Sequence, residues 1–142
     1  MPTRQAEATW DGDLKGGKGN IKLASGAWSG GYSFGTRFEN APGTNPEELI
    51  AAAHSACFSM ALAAGLGKNG FQPKSVHTTA KVSIEKVGEG FKITKIALDT
   101  QASVPNIDEK KFLEIANATK TGCPVSGALS AVPLELTAKL SS

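Results

Sequence analysis

Apolar and polar positions alternate with period two through much of this chain, and one long stretch breaks that rhythm. Ala6, Ala8 and Trp10 alternate with Glu7, Thr9 and Asp11, the pattern of a half-buried strand. Asp11-Gly12-Asp13 reads as a turn, and Gly16-Gly17-Lys18-Gly19 loosens the chain before Ile21 and Leu23, so a hairpin is predicted. Tyr32, Phe34, Thr36 and Phe38 fall on one face of a next strand, with Ser33, Gly35, Arg37 and Glu39 on the other. From Thr44 to Leu66 the alternation disappears. Leu49, Ile50, Ala53, Ala56, Cys57, Phe58, Met60, Ala61 and Leu62 cover nearly every face of a helix about 30 Å long. Asn45 suits its N-cap and Pro46 its first position, while Glu47 and Glu48 complement the positive end. Gly65, Gly67 and Gly70 supply the stop. A helix apolar all round is enclosed by protein or by lipid. Ala, Ser and His54 dilute this one below a membrane span, so it is expected to be central and buried.

Beyond the helix, Val76, Thr78, Ala80, Val82 and Ile84 alternate with polar residues, and Val87-Gly88-Glu89-Gly90 marks a hairpin. The returning strand changes apolar parity between Ile93 and Ile96, which predicts a β-bulge near Thr94-Lys95. Asp108 is set to cap a helix with the stripe Phe112, Ile115, Ala116 and Thr119, ended by Gly122. Cys123-Pro124 follows, then a helical turn or two through Leu129. Leu134, Leu136, Ala138 and Leu140 alternate as a last strand. Strands, long helix, hairpin, helix and strand, in that order, predict an α+β fold: antiparallel sheets around a long central buried helix. Because 142 residues struggle to enclose that helix, a homodimer is expected to cover it.

Composition narrows the function. The net charge is only +2, with 20% charged residues and no basic run, so a nucleic-acid partner has no electrostatic footprint. The first residues carry no apolar signal region, so a cytoplasmic protein without a membrane partner is expected. No repeat or linker divides the chain, and residues 1–142 are expected to form a single domain.

Two cysteines in a reducing compartment direct attention to thiol chemistry. Cys123 precedes Pro124, near a helix N-cap where thiolate is favoured; Cys57 lies mid-helix and needs a nearby cation, with His54 or Arg37 as candidates. Against this stands the inert alternative, since free Cys also serves as a small buried hydrophobe. His54 among apolar neighbours reads equally as hydrogen-bonded packing, and His77 as a solvated strand residue. Glu48 is placed to cap Asn45 reciprocally, which leaves Glu47 free to pair with an arginine. A zinc site of His54, Cys57, His77 and Cys123 fits by residue type, but no Cys-x-x-Cys pair supports it.

Gly43-Thr44-Asn45-Pro46-Glu47-Glu48-Leu49, Ala52-Ala53-His54-Ser55-Ala56-Cys57-Phe58-Ser59-Met60-Ala61-Leu62 and Gly122-Cys123-Pro124-Val125-Ser126, taken together, closely resemble the OsmC (osmotically inducible protein C) family of thiol-dependent peroxidases. Asp11-Gly12-Asp13, Gly35-Thr36-Arg37-Phe38-Glu39, Ile93-Thr94-Lys95-Ile96-Ala97-Leu98 and Val104-Pro105-Asn106-Ile107-Asp108 extend the likeness over nearly the whole chain. The resemblance implies an OsmC-like fold, an intertwined homodimer with active sites at the subunit interface, and a role in oxidative and osmotic stress defence. It implies reduction of organic hydroperoxides, and less efficiently of hydrogen peroxide, with an external dithiol as reductant and no metal or organic cofactor. By motif, Cys57 matches the peroxidatic cysteine, Cys123 the resolving one, and Glu47 the helix-start glutamate that pairs with the active-site arginine. Organic hydroperoxide resistance proteins carry that arginine on an N-terminal strand; Gly16-Gly17-Lys18-Gly19 supplies none, and Arg37 stands in the OsmC-type position. A guanidinium lowers a thiol pKa and stabilises a departing alkoxide. The reaction implied runs through a Cys57 sulfenic acid to a Cys57–Cys123 disulfide. The competing reading from another class is a non-catalytic, small-molecule-binding dimer of the same fold.

Overall fold

Three short strands open the chain as an antiparallel meander: β1 (Ala6–Asp11), β2 (Lys18–Leu23) and β3 (Ser29–Tyr32), in the order β1-β2-β3. Gly19 lies opposite both Trp10 and Tyr32, whose rings meet at 5.4 Å. A Cβ at Gly19 would collide with both rings, so the glycine is required by close approach rather than by its backbone angle. The computed structural model describes residues 2–141 and divides into two units, Met1–Leu49 and Ile50–Ser142.

The alternation from Tyr32 to Phe38 does not continue as a strand. Residues 34–38 wind into a short helix, α1 (Phe34–Phe38). Ser33 makes a capping box: its Oγ accepts from the Thr36 N–H, and the Ser33 N–H donates to Thr36 Oγ1. Phe34 and Phe38, four residues apart, then meet at 5.0 Å instead of lining a sheet face.

Helix α2 (Pro46–Lys68) starts where Asn45 Oδ1 accepts from the Glu48 N–H at 2.8 Å. The amide of Asn45 also donates to the Thr36 carbonyl at 2.9 Å, so one residue caps α2 and ties its start to α1. Glu48 does not return the cap; its carboxylate accepts from the Thr44 hydroxyl at 2.6 Å. At the other end the Phe71 N–H reaches the Leu66 carbonyl and the Gly70 N–H the Gly67 carbonyl, with Gly70 at φ +85°. This pair of bonds is a Schellman stop, for which the left-handed backbone favours glycine.

In the second unit, β4 (Ser75–Val87) and β5 (Gly90–Ser103) form an antiparallel hairpin closed by Gly88-Glu89. Ser83 pairs with Lys95 and Ile84 with Ile93, so Thr94 is the extra residue of the expected bulge. Helices α3 (Glu109–Gly122) and α4 (Pro124–Ala128) carry the chain to β6 (Leu134–Leu140), giving the order β4-β5-β6. One pairing departs from the antiparallel sheets expected, because β6 runs parallel to β5. A two-helix crossover permits parallel pairing, which a tight turn does not. Asp108 caps α3 through the Lys111 N–H at 2.7 Å, and Phe112, Ile115, Ala116 and Thr119 are its buried stripe.

Four residues at spacing four, His54, Phe58, Leu62 and Leu66, are the wholly buried stripe of α2 in this unit. The three apolar members join Ile96, Leu98 and Ala102 of β5 and Phe112, Ile115 and Ala116 of α3 in one core. Ser59 donates to Thr78 at 2.8 Å, and Thr78 lies 2.9 Å from the buried Thr100, a polar strut between helix and hairpin. On the opposite side of α2, Ala52, Ala53, Ala56 and Ala64 are exposed and Met60 is 75% exposed. The sheet and α3 wholly cover one stripe, in keeping with the expectation that a single chain struggles to enclose this helix. By length and composition α2 is apolar and long enough to cross a membrane, as core helices of soluble proteins also are.

Candidate active site

The capping box of α1 and the Asn45 cap of α2 bring two opposite charges together. Arg37 donates from Nε to Glu47 Oε1 at 3.0 Å and from Nη2 to Glu47 Oε2 at 2.9 Å, a bidentate pair. Glu47 is 5% exposed, and the Arg37 guanidinium also lies 5.2 Å from the Phe38 ring centre. Arg37 therefore belongs to a helical turn rather than to the strand expected from alternation. Glu47, left free by the capping arithmetic at the start of α2, holds it in plane.

In residues 50–142, two one-turn segments face each other. On α2, His54 and Cys57 are three residues apart; at the α3–α4 junction, Cys123 and Ser126 are also three apart. His54 Nε2 lies 2.8 Å from Ser126 Oγ, and Cys57 Sγ lies 3.0 Å from Cys123 Sγ. Both cysteines are free thiols; Cys57 is half-buried and Cys123 is 1% exposed. Their separation of 66 positions gave no sequence reason to pair them, and packing of α3 and α4 against α2 supplies one.

Electrostatics within this unit treat the two thiols unequally. Burial pushes the Cys57 thiol up, and its hydrogen bond with Cys123 adds to that, while the Val125 N–H opposes it weakly. Burial acts against the Cys123 thiolate as well. There burial is the largest single influence, but the bond from Cys57, the N–H and hydroxyl of Ser126 and the N–H of Val125 together outweigh it, and the thiol is held below the usual cysteine range. The neutral Cys123 side chain makes no capping bond to the first turn of α4; these donors act on the charged form. When the pair holds one proton, these directions favour the proton on Cys57 and the anion on Cys123.

His54 is wholly buried, and burial keeps its pKa below the ordinary 6.5, so the ring is neutral. Sequence reasoning named His54 but missed Ser126. The recoverable signal was the matched spacing, His54-x-x-Cys57 and Cys123-x-x-Ser126. His77 is exposed on β4, and among the described residues no three His, Cys, Asp or Glu side chains gather to hold a metal ion. The four-ligand arrangement is thus not assembled. An open cleft of about 380 Å³ between α2 and α3, lined by residues such as Gly65, Lys68, Lys111 and Thr119, includes neither cysteine.

Comparison with known proteins bears on this geometry. The sequence model for the OsmC-like protein family matches residues 38–137. The chain is 54% identical over 129 residues to peroxiredoxin OsmC of Escherichia coli (strain K12), covering 90% of each chain. The crystal structure of the organic hydroperoxide resistance protein OhrB of Bacillus subtilis superposes with a TM-score of 0.69 at 25% identity, covering 96% of this chain and 98% of that one. An OsmC-like protein of Vibrio cholerae shares the fold with a TM-score of 0.76 at 15% identity, covering 97% and 99%. On sequence and on fold, the chain belongs to the OsmC-like protein family.

Proposed function

We propose that this protein is a cysteine-dependent peroxidase that reduces organic hydroperoxides, with Cys57 as the peroxidatic and Cys123 as the resolving residue. The observation that carries the reading is the 3.0 Å approach of two free sulfurs in a chain 54% identical to a peroxiredoxin. The alternative of a non-catalytic binding dimer is not favoured, since the relatives carry the names peroxiredoxin and organic hydroperoxide resistance protein.

Within residues 50–142 burial raises the Cys57 pKa while local donors lower that of Cys123, so Cys57 needs a cation. In this reading the Arg37 guanidinium supplies it, with Glu47 fixing the plane. Cys57 passes its proton to the Cys123 thiolate, and the Cys57 thiolate attacks the peroxide. The sulfur–oxygen bond forms as the O–O bond breaks, and the departing alkoxide takes up the proton parked on Cys123. Cys123, again a thiolate, attacks the Cys57 sulfenic acid: the S–S bond forms, hydroxide leaves and is protonated to water. An external dithiol then reduces the disulfide by exchange.

The family match runs across the boundary between the two units, which supports reading residues 1–142 as one domain. The exposed apolar side of α2 supports a homodimer, and a catalytic cycle that returns to two free thiols suits a reducing, cytoplasmic location.

One equivalent of cumene hydroperoxide is expected to remove two titratable thiols per chain, and unchanged thiols would contradict the peroxidase reading. Arg37→Lys keeps the charge but loses the bidentate fork, and is expected to slow peroxide reduction by roughly ten- to a hundredfold. Stopped-flow oxidation at fixed pH measures it, and wild-type rates would remove Arg37 from the site. Sedimentation at micromolar concentration is expected to show a dimer, with an interface on the order of 2,000 Å² or more; a stable, active monomer would refute it.

A further inference from the structure

A buried histidine beside the reacting sulfurs has no part in the chemistry above. His54 is 0% exposed, its Nε2 meets Ser126 Oγ at 2.8 Å, and its Nδ1 has no hydrogen-bond partner. An orphaned polar atom in a core is costly, and an apolar side chain of similar size would avoid that cost. The cost calls for a reason beyond packing.

The hydrogen-bond inventory supplies one. A serine hydroxyl has a single proton, and Ser126 bonds His54 from the third position of α4, the helix whose N-cap is Cys123. If Nε2 accepts that proton, Nδ1 carries an orphaned N–H and the hydroxyl turns away from the sulfur. If Nε2–H donates to Ser126 Oγ, the orphan is only a bare lone pair, and the serine proton is free to point at Cys123 Sγ. Unsatisfied buried acceptors are tolerated better than unsatisfied donors, which selects the second arrangement.

We propose that the buried pair His54–Ser126 prepares Cys123 for disulfide closure: Ser126 donates to the resolving sulfur, and His54 is the positioning residue that aims the hydroxyl by donating Nε2–H to Ser126 Oγ. In the closure step the Cys123 thiolate attacks the Cys57 sulfenic sulfur, the S–S bond forms and hydroxide leaves with a proton from solvent. The hydroxyl of Ser126 keeps the attacking sulfur anionic, and His54 neither gains nor loses a proton. The titratable groups meeting at this network are Cys57 from α2, Cys123 from the α3–α4 junction and His54 itself. Burial alone sets the charge state of His54, while those of the cysteines are set by burial, by each other, and by Ser126 and Val125.

The proposal rests on the peroxidase reading for its purpose, but its physical content is testable without peroxide. In the full-length Cys57→Ser background, the pH profile of Cys123 alkylation by iodoacetamide reports the thiol directly. Adding Ser126→Ala, a small change that keeps the fold, is expected to move that profile upward by about one pH unit, and Ser126→Thr is expected to restore it. His54→Leu is expected to act like Ser126→Ala. His54→Gln, which offers a non-titrating N–H near the same place, is expected to rescue. With both cysteines present, Ser126→Ala is expected to slow disulfide closure about tenfold, seen as a longer-lived sulfenic acid caught by a dimedone-type trap. An unshifted Cys123 profile in Ser126→Ala overturns the proposal, as does a His54→Gln variant that behaves like His54→Leu. Should the peroxidase reading fail instead, no variant would form sulfenic acid while the Cys123 profile still shifted.

Discussion

The contact between the first half of α2 and the α3–α4 junction sets what this chain can do. Two helical turns present a polar group and a thiol each, at matched spacing, and they meet as two rungs of 2.8 Å and 3.0 Å. The deeper rung, His54 to Ser126, is buried and directional, and it fixes where the shallower rung of sulfurs lies. Around it the packing is ordinary. Phe58, Leu62 and Leu66 continue the His54 stripe into the core, and Phe112, Ile115 and Ala116 brace α3 against the same core. The parallel pairing of β6 with β5 closes the crossover that carries Cys123 back to α2.

Those rungs also create a tension. Most local donors act on Cys123, whereas Cys57 has only the Val125 N–H to set against burial and a shared proton. A mid-helix cysteine has no free backbone N–H to stabilise its anion, so its activation must come from elsewhere. The capped turn of α1 and the capped start of α2 build a rigid Arg37–Glu47 fork from residues 37 and 47, held by a bidentate pair with little freedom to turn. The division of work proposed is that Arg37 activates the attacking sulfur and Ser126 the resolving one.

Much of this was legible in the residues because local rules and tertiary packing agreed. The Asn45 cap, the glycine stop after Lys68, the bulge at Thr94 and the stripe of α3 all follow from spacing that packing then used. The failures have physical causes. Period-two alternation over Tyr32–Phe38 competed with Ser33-x-x-Thr36, and the reciprocal cap prevailed, so Phe34 and Phe38 met at helical spacing. Alternation in β6 shows which side chains share a face but not which way the strand runs, so its parallel direction was hidden. The exposed side of α2 was legible too, since an all-round apolar helix says that cover is needed and not that one chain supplies it. Arg37, Glu47 and the cysteines were legible as motifs, whereas Ser126 was not, because its partner lies 72 residues away.

The central claim is the assignment of roles to two sulfurs whose local fields argue the other way. Mass spectrometry of Cys57→Ser and Cys123→Ser after one equivalent of hydroperoxide, with a sulfenic-acid trap present, tests it most directly. The account predicts a trapped adduct on Cys57 in the Cys123→Ser protein and an unmodified Cys123 in the Cys57→Ser protein. A trapped Cys123 in the Cys57→Ser protein, with Cys57 untouched in the other, would contradict it.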